Sequence, residues 1–148
     1  MPGAIMSLSK IELCGLLPHT GSMCLLEGVQ RWSDDEIVCT ATSHRDSANP
    51  LRRNGVLLAV CGVEYAAQAM GVHGRLVSAN HAKPAAGFLV SVRDLLLHAE
   101  HFDDVEATLM IHVRRLAANA DTVMCEFDVS AADRRLVTGR ATLLLEAR

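Results

Sequence analysis

The chain contains 148 residues, of which 50% are hydrophobic and 21% are charged, so we expect one domain over residues 1–148 with a buried core. Its 14 Lys and Arg residues against 17 Asp and Glu residues give a net charge of -3 at pH 7, which disfavours a nucleic acid partner. Aromatic residues make up 3% of the chain, too few for a surface that stacks bases.

The sequence predicts neither a membrane span nor a secretory signal. No apolar run reaches the ~18 residues that a membrane span needs. The stretch from Met1 to Leu17 lacks a basic start and a continuous apolar segment. The five cysteines are odd in number, and no two have the C-x-x-C spacing, so we expect no disulfide framework and no zinc site. Reduced thiols in turn favour a cytoplasmic location.

The first part of the chain predicts one short helix and two strands. Ser9 and Glu12 form a capping box, which indicates a helix that ends near Gly15. Residue types suited to strands follow over 23–31 and 36–42, and a polar loop over 43–54.

The middle of the chain predicts a long buried helix. From Val56 to Val72 the residues are apolar on nearly every side, with Asn54 as the expected N-cap and Gly74 as the expected end. A helix that is apolar all round must be surrounded by other structure.

After Pro84 the hydrophobic residues alternate with a period of two, which is typical of strands. The expected strands lie near 88–97, 105–114, 123–129 and 136–145. Short connections favour an antiparallel meander of these strands, wrapped around the long helix. The fold class that we predict is therefore α+β.

Glu64 is the candidate catalytic acid. It is the only Asp, Glu, Lys or Arg between Arg53 and Arg75. Burial of an isolated carboxylate is costly, so the group must be paired, hydrogen-bonded or kept protonated, and a protonated carboxyl suits general-acid catalysis. Gln68, four residues later on the same helical face, can orient it. A structural glutamate, tied to backbone donors or to a subunit interface, is the alternative.

Two further segments carry candidate site residues. His19 lies in a loop that Pro18 and Gly21 are expected to tighten around its imidazole, although a surface histidine is the alternative. Asn54 and Gly55 precede the predicted helix, whose N-terminal N–H groups suit a thioester carbonyl. Capping alone explains Asn54 equally well.

Metal and nucleotide cofactors have little support. His98 and His101, with Asp103 and Asp104 nearby, resemble a metal cluster by residue type, but they fall at a predicted strand turn, where a solvated polar tip is favoured. The sequence contains none of the glycine-rich phosphate-binding motifs and no G-x-S-x-G motif. We therefore expect no cofactor and no metal.

Two motifs resemble those of the hotdog-fold β-hydroxyacyl-acyl-carrier-protein dehydratases, most of all the branch associated with aryl polyene biosynthesis. They are Leu17-Pro18-His19 with residues 23–29, and the helical run over 62–69; the similarity extends from about residue 11 to residue 145. The resemblance implies a long helix wrapped by an antiparallel sheet. It also implies a dimer or higher homo-oligomer, or a heteromer with a paralogue.

The same resemblance implies loss of water from a β-hydroxyacyl thioester on the phosphopantetheine arm of an acyl carrier protein, in fatty acid-like or aryl polyene biosynthesis. Glu64 matches the helix acid that protonates the departing hydroxyl. Ordinary members carry their histidine base in a Gly-His-Phe-Pro motif, and the matching position here is Pro50. The aryl polyene branch also lacks that histidine and keeps the Leu-Pro-His one, so the resemblance passes the role of base to His19.

Asn54, Gly55 and Gln68 are expected to contact the substrate. Two other functions stay open at this point. The chain is either a non-catalytic hotdog subunit that completes an active paralogue, or an acyl thioesterase in which Glu64 serves as base or nucleophile.

Overall fold

The computed structural model describes residues 8–16, 23–77 and 87–145. Its helices are α1 (Lys10–Cys14) and α2 (Gly62–Val77), with short 3-10 turns at Ser43–Arg45 and Ala59–Cys61. Its strands are β1 (Gly28–Trp32), β2 (Glu36–Ala41), β3 (Gly87–Leu97), β4 (Leu109–Ala118), β5 (Thr122–Ala131) and β6 (Arg134–Leu145). The strands form one antiparallel sheet in the order β1-β2-β4-β5-β6-β3.

The core lies between α2 and one face of this sheet. Alternate side chains of β4 and β5 are buried, as a period of two requires, and α2 packs on β2, β4, β5 and β6. The small residues Ala66 and Ala69 of α2 are buried and allow the helix to approach the sheet closely. The α+β class that the sequence predicts is confirmed.

The strand order corrects the predicted meander. β3 pairs with β6 rather than with β4, whose outer edge is taken by β2. The meander is therefore limited to β4, β5 and β6, and β3 forms an edge of the sheet. β4 begins at Leu109 rather than at 105, because the preceding connection packs near α2 instead: Phe102 is buried there, and its N–H donates to Leu57 O at 2.9 Å.

The predicted start of the long helix is also wrong. Asn54 (φ 53°) and Gly55 (φ 78°) form the middle of a tight turn in which Arg53 and Val56 exchange backbone hydrogen bonds of 2.8 and 2.9 Å. Positive φ at both central positions is typical of a type I′ turn, for which Asn-Gly is the favoured pair. Asn54 is therefore not the N-cap, and α2 begins at Gly62 and continues past Gly74 to Val77.

The predicted helix α1 is confirmed, with both hydrogen bonds of the Ser9–Glu12 capping box present. The expectation of unpaired thiols is wrong for two cysteines, because Cys14, the last residue of α1, forms a disulfide with Cys24. Cys39, Cys61 and Cys125 are free. Within the described ranges, no helix combines the length and the apolar character that a membrane crossing requires.

The packing around β6 yields a test of the fold. A Cβ added to Gly139 would lie 2.9 Å from Cζ of the buried Phe127 ring, so we expect Gly139→Ala to lower the free energy of unfolding by about 1–3 kcal/mol through overpacking. Gly74 in α2 has no neighbour within 4 Å of such a Cβ, so Gly74→Ala should stabilise the chain by about 0.5–1 kcal/mol. Urea unfolding measures both changes. A Gly139→Ala variant with an unchanged midpoint would contradict this account.

Candidate active site

Glu64 lies in the first turn of α2 and is half-buried, so it is less enclosed than the sequence suggested. Gln68 follows one turn later, and its Nε2 donates a hydrogen bond of 3.2 Å to Glu64 Oε2. The spacing of four residues predicted this contact. The amide therefore fixes one oxygen of the carboxyl group.

Gln68 also joins α2 to the segment that precedes β1. Its side chain is 2% exposed; Nε2 donates to Met23 O at 2.7 Å, and Oε1 accepts from Leu25 N at 2.9 Å. Both amide protons and the amide oxygen are thus used. One proton is donated to Glu64, the other is donated to Met23 O, and the oxygen accepts from Leu25 N. Gln68 holds this segment beside the acid.

The other predicted site residues are not brought to Glu64 by the described part of the chain. His19 lies outside the described residues, and its role stays a prediction. Asn54 and Gly55 form the turn over Arg53–Val56, several residues before α2 begins. We expected these two residues to bind substrate because they would lie at the N-terminus of the helix, and they do not lie there. Their role in substrate binding also stays a prediction.

A hydrogen-bonded chain beside Glu64 involves residues that the sequence analysis did not select. The hydroxyl of the buried Tyr65 lies 2.7 Å from Ser43 Oγ and accepts from Asn49 Nδ2 at 3.1 Å. Ser43 donates its own proton to Leu25 O at 2.7 Å, so Tyr65 is the donor to Ser43. Burial raises the pKa of Tyr65, which keeps the phenol protonated. The signal in the sequence was a lone tyrosine in an apolar helix, since a buried hydroxyl needs a partner.

Arg52 organises the loop that leads to α2. Its guanidinium pairs with the Asp103 carboxylate and donates to three backbone carbonyl oxygens at 2.7 to 3.0 Å, those of His44, Asp46 and Gly55. The hydrogen bond from Arg52 holds the pKa of Asp103 below its usual range. Asp103 in turn accepts from Leu57 N at 3.2 Å. The loop is therefore tied to the connection between β3 and β4.

The loop over 43–54 contains one histidine, His44, and has a proline at position 50, where the resemblance would place a histidine base. Pro50 is exposed. His44 is buried, with Nε2 3.0 Å from Val105 O, and burial lowers its pKa. We interpret His44 as a neutral structural histidine.

The described ranges also contain no group of three or more His, Cys, Asp or Glu side chains that could hold a metal ion. In the region of the predicted cluster, His101 Nδ1 accepts from the Asp103 N–H at 3.2 Å. A cavity of about 470 Å³ lies elsewhere, with strand residues such as His112, Glu126 and Arg140 in its lining, and neither Glu64 nor Gln68 contributes to it.

A family model for ApeP-like proteins, described as ApeP dehydratase, matches residues 11–146. A chain of the solved dehydratase heterocomplex ApeI:P from Xenorhabdus doucetiae is 28% identical, with a TM-score of 0.80 over 92% of this chain and 91% of that chain. No curated protein matches the sequence.

More distant structures share the fold alone. A thioesterase from Haemophilus influenzae has a TM-score of 0.65 at 13% identity, over 95% of this chain and 92% of that chain. AziG from S. sahachiroi has a TM-score of 0.60 at 14% identity, over 82% and 92% of the two chains. The hotdog fold that the resemblance implied is confirmed. Because the family model spans nearly the whole sequence, the chain belongs to the ApeP-like dehydratase family.

Proposed function

We propose that this protein removes water from a β-hydroxyacyl thioester carried on the phosphopantetheine arm of an acyl carrier protein, in aryl polyene or fatty acid-like biosynthesis. Membership of the dehydratase family supports the type of reaction. The observation that carries the site assignment is the bridge that Gln68 makes between Glu64 and residues 23–25.

The bridge matters because His19 precedes Met23 by only four residues. A chain spans at most ~3.6 Å per residue, so four residues of chain reach no further than roughly 14 Å from Met23, whose carbonyl accepts from the same amide that donates to Glu64. The proposal requires both groups to come within about 3 Å of the protons that they transfer on one substrate, and four residues of chain are short enough to allow this.

In the proposed reaction, His19 takes the proton from the α-carbon and Glu64 donates a proton to the β-hydroxyl. The electron pair of the broken C–H bond forms the α,β double bond as the C–O bond breaks, and water leaves. Gln68 acts as a positioning residue, because the hydrogen bond from its Nε2 to Glu64 Oε2 fixes the orientation of the carboxyl group. Exchange of a proton between His19 and Glu64 through solvent restores the starting state.

We further propose that the exposed side of β3 binds a second hotdog subunit. β3 is an edge strand, and several of its apolar side chains are exposed: Leu89, Val90, Val92, Leu96 and Leu97. An exposed apolar edge is prone to pair with another chain. The similar protein from Xenorhabdus doucetiae is part of a heterocomplex, which favours a paralogue over a second copy of this chain.

The heterocomplex also favours one alternative function, a non-catalytic subunit that completes an active partner. Incubation of the full chain with a β-hydroxyacyl-carrier substrate separates the possibilities. Loss of one water from the acyl group supports the dehydratase, and release of a free carrier thiol supports a thioesterase. Neither product, together with tight association to a second hotdog protein, supports the accessory function. We propose the cytoplasm as the compartment of the reaction on the ground of the free thiols of Cys39, Cys61 and Cys125; the Cys14–Cys24 disulfide does not add to that argument.

Substitution of the two proposed catalytic residues tests the mechanism. Glu64→Gln and His19→Ala should each lower kcat about a hundredfold or more, because general acid or base catalysis contributes roughly 10²–10⁴-fold. Glu106→Gln and His98→Ala are matched controls at exposed positions and should retain activity. The measurement is the steady-state rate of dehydration. Full activity in either catalytic variant removes that residue from the mechanism.

Gln68→Met tests the bridge with little change of volume. The variant leaves Met23 O and Leu25 N without partners, and each buried polar group without a partner costs about 1–3 kcal/mol. We expect a lower urea midpoint and a kcat reduced more than KM is raised. Gln30→Met makes the same change at an exposed position and should alter stability by less than about 0.5 kcal/mol. Equal behaviour of the two variants would refute the role of Gln68.

The β3 interface is tested by placing charges on its apolar side chains. Val90 is 55% exposed and Leu96 is 58% exposed, so the double variant Val90→Lys and Leu96→Lys should fold but fail to assemble. Leu116→Lys is the control at an exposed apolar residue of β4. Sedimentation analysis with and without the co-expressed paralogue measures assembly. Assembly as a homodimer alone would favour a second copy, and unchanged assembly of the double variant would exclude β3.

A further inference from the structure

Arg52 and Arg53 are adjacent in sequence, but their side chains have different surroundings. The guanidinium of Arg52 pairs with Asp103 and donates to three carbonyl oxygens. Arg53 is exposed, and the part of the chain that the structure describes supplies its guanidinium with neither an ion pair nor a hydrogen bond. Because the Asp103 carboxylate is already paired with Arg52, it does not neutralise Arg53. Arg53 therefore presents a positive charge that a ligand can pair with.

The backbone that carries this charge is held in place. Arg53 and Val56 exchange two backbone hydrogen bonds across the turn that contains Asn54 and Gly55. The chain that follows is tied to the connection between β3 and β4, since Ala59 N donates to Glu100 O at 2.9 Å. A fixed backbone limits the positions open to the guanidinium, which lowers the entropy lost when a ligand binds.

The fold also brings this turn near the start of α2. Cys61, the residue before α2, places its Sγ 3.9 Å from Leu51 O. Leu51 lies two residues before Arg53, and Cys61 lies three residues before Glu64. Two residues of chain span at most ~7 Å and residues three apart on a helix lie ~6 Å apart, so the Cα atoms of Arg53 and Glu64 are within roughly 22 Å of each other.

The charges of Arg53 and Glu64 both act on the thiol of Cys61. Burial raises the pKa of this thiol; the positive charge of Arg53 acts to lower it, and the negative charge of Glu64 acts to raise it. Leu58 and Val60, which lie between the two charged residues in sequence, are each 45% exposed. From the turn to α2 the chain thus offers a cation, two exposed apolar side chains and a carboxyl group, in that order.

We propose that Arg53 binds the phosphate of the phosphopantetheine arm whose acyl end reaches Glu64. This inference rests on the proposed function. The arm carries its groups in the same order: a phosphate, a carbon with two methyl groups, two amides and the thioester. A guanidinium suits the phosphate because it donates two parallel hydrogen bonds to neighbouring oxygens. Arg53 is a binding residue and contacts no reacting atom.

The length of the arm fits this placement. About sixteen bonds separate the phosphorus from the β-carbon of the acyl group, which corresponds to roughly five residues of extended chain, or ~18 Å. The side chains of Arg53 and Glu64 extend toward the two ends of the arm and cover the remaining distance between their Cα atoms. One bound arm can therefore contact both residues.

The test uses the full chain and three substrates with the same β-hydroxyacyl thioester, carried on pantetheine, on 4′-phosphopantetheine or on the carrier protein. For the wild-type chain we expect KM to be about tenfold lower with 4′-phosphopantetheine than with pantetheine, because a hydrogen bond to a charged group strengthens binding by about tenfold or more. Arg53→Gln should remove this difference. It should raise KM about tenfold for the two phosphorylated substrates and change kcat less than about twofold.

Two further variants make the assignment specific. Arg53→Lys keeps the charge but loses the paired donors, so its KM should lie between those of the wild-type chain and Arg53→Gln. Arg31→Gln is the matched control, because Arg31 is an exposed arginine of β1 that already pairs with Glu36. We expect Arg31→Gln to retain the wild-type KM for all three substrates.

Unreactive thioether analogues of the two free arms separate this inference from the proposed function. In isothermal titration the wild-type chain should bind the phosphorylated thioether about tenfold more tightly than the other, and Arg53→Gln should bind both equally. If no substrate is dehydrated, the proposed function fails, and these affinities alone decide about Arg53. Equal affinities in the wild-type chain, or no measurable binding, overturn the proposal.

Two other results would assign Arg53 to a different partner and would also overturn the proposal. An effect of Arg53→Gln that is confined to the loaded carrier protein would place Arg53 against a carboxylate on the surface of the carrier. Loss of subunit assembly in Arg53→Gln, measured by sedimentation, would place it in a contact between subunits.

Discussion

The buried amide of Gln68 is the interaction on which the site depends. Residues 23–26 leave the regular hydrogen bonding of the sheet, so their N–H and C=O groups need side-chain partners in the interior. Only an uncharged amide supplies two donors and an acceptor from a single side chain. Gln68 meets this requirement, and the donor that also reaches Glu64 fixes the acid relative to the segment. The side chain of Gln68 therefore both supports the backbone of residues 23–25 and orients the carboxyl group of Glu64.

A second contact makes this arrangement stiffer. Gln68 accepts from the N–H of Leu25, and the carbonyl of Leu25 accepts from Ser43, which is hydrogen-bonded to Tyr65. Both Tyr65 and Gln68 lie on α2, so the helix holds Leu25 through both of its backbone polar groups. Asn49 extends the same chain of donors into the loop before α2. The first turn of the helix, the segment 23–26 and this loop thus have one relative position, which is what catalysis by positioned groups requires.

Local signals predicted what depends on near neighbours. The capping box of α1, the period of two in β5 and the contact between Glu64 and Gln68 arise within a few residues of sequence, and each is confirmed. The start of α2 was not predictable in this way, because Asn54-Gly55 suits a helix cap and a type I′ turn equally well. The choice depends on backbone pairing between Arg53 and Val56, which no residue pattern specifies.

The residue pattern of the sequence did not predict the contacts between distant segments. The edge position of β3 depends on which strand takes the outer edge of β4, and an antiparallel meander satisfies the same periodicity. The partners of Tyr65 come from a loop about twenty residues away, and the spacing of Cys14 and Cys24 matches no motif. The burial of Tyr65 indicated that its hydroxyl needs a hydrogen-bond partner, but it did not indicate which residue supplies one.

The absence of a histidine at Pro50 fits the local chemistry of the loop before α2. Hydrogen bonds within this loop and to its neighbours stabilise its conformation. The guanidinium of Arg52 donates to three carbonyl oxygens and pairs with Asp103, and His44 is hydrogen-bonded to Val105 O. In the mechanism that we propose, the base that works with Glu64 therefore comes from another segment. We propose the segment ahead of Met23 as the source of this base, because Gln68 donates both to Glu64 and to the carbonyl of Met23, where that segment ends. The mechanism that we propose uses one carboxyl group held by Gln68 and one base on the segment ahead of Met23, and it does not require a histidine at position 50.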